Sequence, residues 1–184
     1  MLSLLVHVCC APCAVYPLTQ ILGREPGADL LPWFYNPNIQ PAEEFVRRRD
    51  AVAFLAQQMP SLVPGIPRPL RVDFSPPYNP GRFLAAAALD PTEPQRCRAC
   101  YETRLDMAAR AAVEKGLPAF TTTLLYSRRQ RHELIREAGE KAASEHGVEF
   151  YYEDFRRGWK EGLELSKRLG LYRQRWCGCV YGAS

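Results

Sequence analysis

The chain has 184 residues, of which 47% are hydrophobic, and its formal net charge is +4. This length is typical of one domain, so we expect residues 1–184 to form a single domain with its own core. No apolar run reaches the roughly 18–20 residues that span a membrane and no targeting segment is recognisable, which together with unpaired thiols predicts a cytoplasmic protein without a membrane partner.

Strand and helix patterns alternate along the first half of the chain. The apolar start is interrupted only by Ser3 and His7, which is typical of a short buried strand, and Pro12 suits the first turn of the helix that follows. Residues 60–69 contain four prolines and predict a loop. The predicted elements are a strand over Leu2–Val8, a helix over Pro12–Leu22, a strand over Leu30–Tyr35, a helix from Pro41 to about Gln58, a strand over Leu70–Phe74 and a short helix over Phe83–Leu89.

The same alternation continues to the end of the chain. The predicted elements are a helix from near Cys97 to Lys115, a strand over Ala119–Leu125, a helix over Arg129–His146, a strand over Val148–Tyr152 and a helix over Arg156–Leu169. Five strands alternating with helices predict an α/β fold with a mostly parallel sheet and helices on both faces. Ligands collect at the carboxyl ends of the strands in such folds, and we expect a metal site there.

The seven cysteines form three clusters, and no cysteine lies outside them. Clusters separated by long cysteine-free stretches are typical of soft-metal ligands that folding brings together. Seven thiolates exceed the four that one zinc ion or one iron–sulfur cluster needs, which predicts a cluster plus a second metal, or a cluster with a redox-active remainder. The predicted metal ligands are Cys9-Cys10-x-x-Cys13, Cys97-x-x-Cys100 and Cys177-x-Cys179.

Two other uses of these cysteines compete with that interpretation. A disulfide framework is disfavoured because the number is odd and the chain is long enough to form a core without cross-links. A structural zinc site is the stronger competitor, since zinc also binds clustered thiolates.

Six segments, in order and spacing, resemble the cobalamin-independent epoxyqueuosine reductases of the QueH type. Trp176, Tyr126, Arg128-Arg129 and the proline-rich stretch depart from that pattern, but none of these removes a cysteine. The segments are His7-Val8-Cys9-Cys10-Ala11-Pro12-Cys13, Tyr35-Asn36-Pro37-Asn38-Ile39 with Pro41 and Glu44, Arg96-Cys97-x-x-Cys100-Tyr101-x-x-Arg104-Leu105, Phe120–Leu125 with Ser127, Gln130 and His132, Asp154-Phe155-Arg156, and Tyr172-Arg173-Gln174-x-Trp176-Cys177-Gly178-Cys179.

The resemblance implies that the epoxide of epoxyqueuosine, at the wobble position of a tRNA anticodon, is reduced to the alkene of queuosine. It also implies a Rossmann-like fold of the HUP type, a [4Fe-4S] cluster and a nearby second metal, expected to be iron, with zinc able to substitute for it. The partners would be tRNA carrying epoxyqueuosine and an external electron donor. Which cysteines would bind which metal stays open.

The chemistry is consistent with such a site. Removing the epoxide oxygen as water takes two electrons and two protons. A cluster delivers single electrons, and a Lewis acid with an open coordination position can hold the oxygen. The candidate catalytic residues are His7, His132 and Asp154, with Glu44 as a further acidic candidate; each could equally be structural.

Recognition of tRNA should use arginine forks for phosphates and polar or aromatic side chains for the exposed wobble base. Arginine runs occur at Arg47–Arg49, Arg128–Arg131 and Arg156–Arg157, and a solvated helix face is the alternative for each. Tyr101, Tyr172 and Trp176 are further candidates for stacking, although aromatic residues are more often part of a core. The predicted substrate-binding residues are Tyr35, Asn36, Asn38, Thr121, Thr122, Thr123, Ser127, Gln130, Arg128, Arg129, Arg131 and Arg156.

Two other functions fit parts of the sequence. A zinc-stabilised RNA-binding module without catalysis would also need the cysteines and arginines. An ATP-using tRNA thiolation or adenylation enzyme is disfavoured, since no Ser-Gly-Gly-x-Asp-Ser loop follows the first strand and Cys9-Cys10-Ala11-Pro12-Cys13 occupies that place.

Overall fold

The computed structural model describes residues 1–182 of the chain. Four strands and six α-helices alternate, with three short 3-10 turns at Thr123–Tyr126, Phe155–Gly158 and Val180–Gly182. In chain order the elements are β1 Ser3–His7, α1 Ala11–Arg24, β2 Asp29–Trp33, α2 Ala42–Leu62, α3 Gly81–Leu89, α4 Gln95–Glu114, β3 Ala119–Thr122, α5 His132–His146, β4 Glu149–Phe150 and α6 Trp159–Arg168.

The strands form one parallel sheet in the order β2-β1-β3-β4. β1 is central, and Leu4, Leu5 and Val6 are fully buried, as expected for a strand covered on both faces. Right-handed crossovers place α1 on one face and α4 and α5 on the other. Contacts agree, because α1 packs on α2 and α6 while α4 packs on α3 and α5. The predicted α/β class with a parallel sheet is confirmed.

Three predicted strands differ from the structure. The last one, predicted over Val148–Tyr152, forms β4 over Glu149–Phe150 alone. The stretch Leu70–Phe74 is not a strand, and only Asp73 forms an isolated bridge, with Trp33. Prolines lack a backbone donor, so Pro69 and Pro76 on either side of this stretch shorten its pairing. The strand predicted over Ala119–Leu125 ends at Thr122, whose hydroxyl accepts a hydrogen bond from Leu124 N at 3.2 Å and starts a 3-10 turn.

The carboxyl ends of β1 and β3 lie side by side, since His7 is paired with Thr122. The segments that follow these strands, beginning at Val8 and Thr123, therefore emerge at the same edge of the sheet. None of the helices within residues 1–182 is both long and apolar enough to cross a membrane.

Candidate functional site

A pocket of about 340 Å³ opens at the carboxyl edge of the sheet. Its wall combines thiols with an apolar side, a polar side and several arginines. Cys9 and Cys13 of the first cluster and Cys177 of the third line it together. The other lining residues used below are Arg48, Glu93, Arg104, Leu124, Tyr126, Ser127, Arg129, Gln130, Trp159, Leu163, Arg173, Gln174, Arg175 and Trp176.

The first cluster is a compact triad of thiols. Cys9 and Cys10 precede α1, and Cys13 lies in its first turn. The helix can begin here because Pro12 is tolerated at a helix start, where its missing backbone N–H would have no partner. The sulfur atoms of all three lie within 4.8 Å of one another, and all are free thiols. Among residues 1–182, no other three metal-binding side chains meet that distance. The triad is therefore a preformed set of soft donors.

The surroundings of the triad shift the pKa values of its thiols in opposite directions. Hydrogen bonding with Cys10 and Cys13 lowers the pKa of Cys9, whereas burial raises the pKa of Cys10 to about 12. Thr123 also supports Cys9, since its hydroxyl accepts from Cys9 N at 3.0 Å and donates to Cys9 Sγ at 3.3 Å. One thiol of the triad thus ionises readily, as metal binding requires.

The remaining four cysteines form a second group. Cys97 and Cys100 lie in the first two turns of α4, one turn apart. Cys100 packs in a small cluster with Cys179, Phe83 and Ala87. Burial raises the pKa values of both Cys97 and Cys100, and the charge of a Cys177 thiolate adds to this effect. A hydrogen bond from Cys179 lowers the pKa of Cys177. We refer to Cys97, Cys100, Cys177 and Cys179 as the quartet.

Arg104 connects the two groups of thiols. It is only 3% exposed, and one Nη donates to Asn36 Oδ1 while the other lies 4.0 Å from Cys100 Sγ. Its charge also favours the thiolate forms of Cys9 and Cys177. Arg104 therefore stabilises negative charge on both sides of the pocket.

A buried ion pair holds the loop that carries Cys177 and Cys179. Arg48 Nε donates to Glu44 Oε1 at 2.6 Å, and both side chains are less than 5% exposed. The two Nη atoms donate to the carbonyl oxygens of Cys177 at 3.0 Å and Trp176 at 3.2 Å. Tyr172 donates to the second oxygen of Glu44 at 2.6 Å. These contacts hold the loop in position, although the loop itself forms no helix or strand.

Gly178 lets this loop approach closely. Its φ is +102°, and a Cβ atom there would lie 2.8 Å from Ile39 Cγ1 and 3.1 Å from Arg48 Nη1. A glycine is therefore required both by the backbone conformation and by the space available. Gln40 N donates to the Gly178 carbonyl at 2.8 Å, which completes the docking.

His7 and the three threonines lie inside the core. His7 Nε2 donates to the Tyr35 carbonyl at 3.0 Å, so Nδ1 accepts from the Thr122 hydroxyl at 2.8 Å. Burial lowers the pKa of His7 to about 3, which keeps it neutral. Thr121, Thr122 and Thr123 are fully buried, and none lines the pocket. These contacts join β1, β3 and the segment that follows β2, so the structure gives His7 and Thr122 structural contacts rather than access to substrate.

The other predicted catalytic residues also lie outside the pocket lining. Asp154 accepts hydrogen bonds from Arg156 at 2.6–3.0 Å, and these lower the pKa of its carboxyl to about 2. It is therefore ionised near neutral pH. His132 Nε2 lies 2.9 Å from the Tyr152 hydroxyl. Catalysis by His7, His132 or Asp154 remains a prediction without a pocket contact.

Several predicted substrate-binding residues do not line the pocket but stabilise the segments that form it. Tyr35 is buried and stacks on Trp33 with ring centroids 5.1 Å apart. Asn36 donates to the Val8 carbonyl at 2.9 Å, and Asn38 donates to the Cys177 carbonyl at 3.2 Å. The two asparagines thus fix the backbone next to the triad and the quartet.

The predicted polar and basic residues divide between pocket and surface. Ser127, Gln130 and Arg129 line the pocket. Arg128 lies outside it, 5.9 Å above the Trp159 ring. Arg131 forms an ion pair with Glu93 at 2.7 Å, and Arg156 forms one with Asp154.

Sequence reasoning missed several pocket residues. Arg104 had a usable signal, because it follows Cys100 by four residues on a helix and so lies on the same face. Nothing in the sequence indicated Trp159 and Leu163, since their helix α6 reaches the pocket only through its packing on α1. Gln174 lines the pocket with its Oε1 buried and without a hydrogen-bond partner.

Comparisons with known proteins point to one family. The sequence model described as "Epoxyqueuosine reductase QueH" matches residues 4–184. An epoxyqueuosine reductase QueH of Thermotoga maritima is 34% identical, with 97% of this chain and 89% of the relative covered. That of Dehalococcoides mccartyi is 33% identical, with coverages of 97% and 91%, and that of Streptococcus pyogenes is 32% identical, with 98% and 70%. The chain therefore belongs to the epoxyqueuosine reductase QueH family.

Proposed function

We propose that this protein is an oxidoreductase that reduces the epoxide of epoxyqueuosine in tRNA to the alkene of queuosine. The observation that carries the proposal is the pocket at the sheet edge, because Cys9 and Cys13 of the triad and Cys177 of the quartet line one cavity. The pocket is large enough for a modified base. The relatives of this chain are named for this reaction.

The donor set fits metals that prefer sulfur ligands. The triad, with its three sulfur atoms within 4.8 Å, would hold one centre, and the quartet would hold the other. Three thiolates suit a [4Fe-4S] cluster that keeps one iron free for another ligand, and iron or zinc is the matching second metal. When bound, these groups supply single electrons and a Lewis acid for the epoxide oxygen.

The residues of the chain prepare the pocket for this chemistry. Arg104 and Thr123 stabilise thiolate charge, as described above. Leu124, Tyr126, Trp159 and Leu163 form an apolar wall that excludes water and can pack against the cyclopentane ring. The Trp159 ring stacks on Tyr126 at 5.2 Å between centroids, which fixes this wall.

The polar wall can recognise the base. Ser127, Gln130 and Gln174 lie on it, and the unpartnered Oε1 of Gln174 is free to accept a hydrogen bond from a ring or exocyclic N–H. Gln130 is held by the buried Tyr101, whose hydroxyl donates to Gln130 Oε1 at 2.7 Å. A site built to hydrogen-bond its substrate rejects analogues that leave such groups unpaired.

Metal and sulfide analysis of anaerobically purified protein tests the proposal against a zinc-stabilised RNA-binding module. We expect brown protein that contains iron in excess of four atoms per chain and about four acid-labile sulfides, the composition of a cubane cluster with a second iron. Serine at all three triad positions should remove part of this iron, and serine at all four quartet positions should remove a different part. Colourless protein with stoichiometric zinc and no sulfide, purified without air, would support the binding module instead.

A further inference from the structure

Three arginines that line the pocket have no acidic partner within the described part of the chain. Arg129, Arg173 and Arg175 are exposed, and all three line the pocket. No carboxylate of residues 1–182 lies within 4.0 Å of any of these guanidinium groups. Arg129 Nη1 donates to the Arg175 carbonyl at 3.2 Å, which joins the segment after β3 to the loop after α6. We refer to these three residues as the rim arginines.

Arg48 and Arg104 are buried, and three further arginines near the pocket are paired with carboxylates, whereas Arg128 lies outside the lining, over the Trp159 ring. Arg131 pairs with Glu93 at 2.7 Å, and Arg156 pairs with Asp154 at 2.6 Å. Arg157 pairs with Glu153. A phosphate that bound one of these would first have to displace a carboxylate, whereas the rim arginines bind an anion without breaking an ion pair. The local field at the mouth is therefore more positive than the mild net charge suggests.

A nucleotide bound in the pocket would bring phosphates close to the rim arginines. A nucleotide whose base enters a pocket leaves its sugar and its two flanking phosphates at the mouth, because the chain must continue on both sides. Cys9 and Cys13 are less exposed than the rim arginines, and these arginines come from two segments of the chain, one after β3 and one after α6. Guanidinium forks bind phosphodiesters in a bidentate manner.

We infer that Arg129, Arg173 and Arg175 bind the phosphodiester groups flanking the nucleotide that enters the pocket. This rests on the proposed function and deepens it, since it assigns the phosphate contacts of a single-stranded RNA loop to three residues. It also separates Arg129 from Arg131 and Arg156, with which the sequence analysis had grouped it.

Two triple variants with the same loss of charge test this inference. One replaces the rim set by glutamine (Arg129→Gln, Arg173→Gln, Arg175→Gln), and the other replaces the paired set (Arg131→Gln, Arg156→Gln, Arg157→Gln). Binding of tRNA to metal-loaded protein is measured between about 50 and 300 mM salt. Each lost phosphate contact lowers the slope of log K against log salt by about 0.7–0.9, so the rim variant should lose about 2–3 in slope and about a hundredfold in affinity near 150 mM salt.

The paired variant should keep most of the slope, because its arginines are already neutralised. A rim variant with lysine at the three positions should also keep most of the slope, which separates charge from any disturbance of the loop. Equal losses in the two glutamine variants, or a larger loss in the paired one, would overturn the inference but leave the proposed function intact. Wild-type protein that shows no affinity for tRNA would contradict both.

Discussion

Replacing both Cys97 and Cys100 by serine is expected to abolish epoxide reduction on tRNA while the protein remains folded. The two residues supply half of the quartet, and serine is a hard ligand that does not substitute for a thiolate on these metals. Changes in residues that only support metal ligands typically cost 10–100-fold in activity, so the loss of two ligands should exceed about a hundredfold. Nucleoside analysis of the tRNA product measures the effect.

Arg98→Gln is the matched control for this variant. Arg98 lies between the two cysteines in sequence, but its guanidinium points away from the pocket and pairs with Glu137 at 2.8 Å. It should leave the rate within about twofold, as surface substitutions usually do. Full activity in the double serine variant would refute a metal site shared by the quartet.

Replacing Arg48 by methionine is expected to release the loop that carries Cys177 and Cys179. The change leaves Glu44 as an unpaired buried carboxylate and removes the donors to the Cys177 and Trp176 carbonyls. Breaking a buried pair in this way typically costs about 3–5 kcal/mol in the free energy of unfolding. We also expect faster alkylation of Cys177 and Cys179 and loss of part of the bound iron.

A second variant separates the effect on the position of the loop from the effect on the stability of the whole protein. Glu44→Leu combined with Arg48→Met removes the unpaired charge, so it should recover much of the lost stability while the two carbonyls still lack their donors. Its cysteines should therefore stay reactive. Arg49→Met is the control, since Arg49 contacts only the neighbouring Asp50 and is 42% exposed. Alkylation rates equal to wild type in the double variant would show that Arg48 does not position the loop.

The parts of the site predictable from sequence are those that a parallel sheet dictates. The carboxyl ends of neighbouring strands meet at one edge, so the segments after β1 and β3 had to approach one another. The spacing of Cys97 and Cys100 on one helix face was also readable. The resemblance to the QueH family covered the whole chain, and the comparisons bear out the family.

The position of the C-terminal loop could not be predicted from the sequence. Residues 171–179 form no helix or strand, so no periodicity indicates what they contact. Arg48 belongs to a run of three arginines that resembled a phosphate-binding surface. Only its helical phase, which aligns it with Glu44 in the interior, distinguishes it from Arg47 and Arg49.

Side-chain direction explains the other differences. His7 is next to the triad in sequence, but its ring nitrogens are occupied by Thr122 and Tyr35. Three consecutive threonines suggested hydroxyls for substrate, yet all three are buried and Thr123 contacts Cys9 instead. The pattern of residue types indicated the right region, but the hydrogen bonds that orient these side chains include partners far away in sequence, 115 residues between His7 and Thr122 and 114 between Cys9 and Thr123.

The most direct test of this account is whether the protein changes the nucleoside itself. Iron- and sulfide-loaded protein is incubated without air with tRNA that carries epoxyqueuosine and a chemical one-electron reductant, and the digested nucleosides are identified by mass. The account predicts that epoxyqueuosine is replaced by queuosine, which lacks one oxygen atom, and that each protein molecule converts many tRNAs. Unchanged epoxyqueuosine in the presence of loaded protein that binds the tRNA would contradict it.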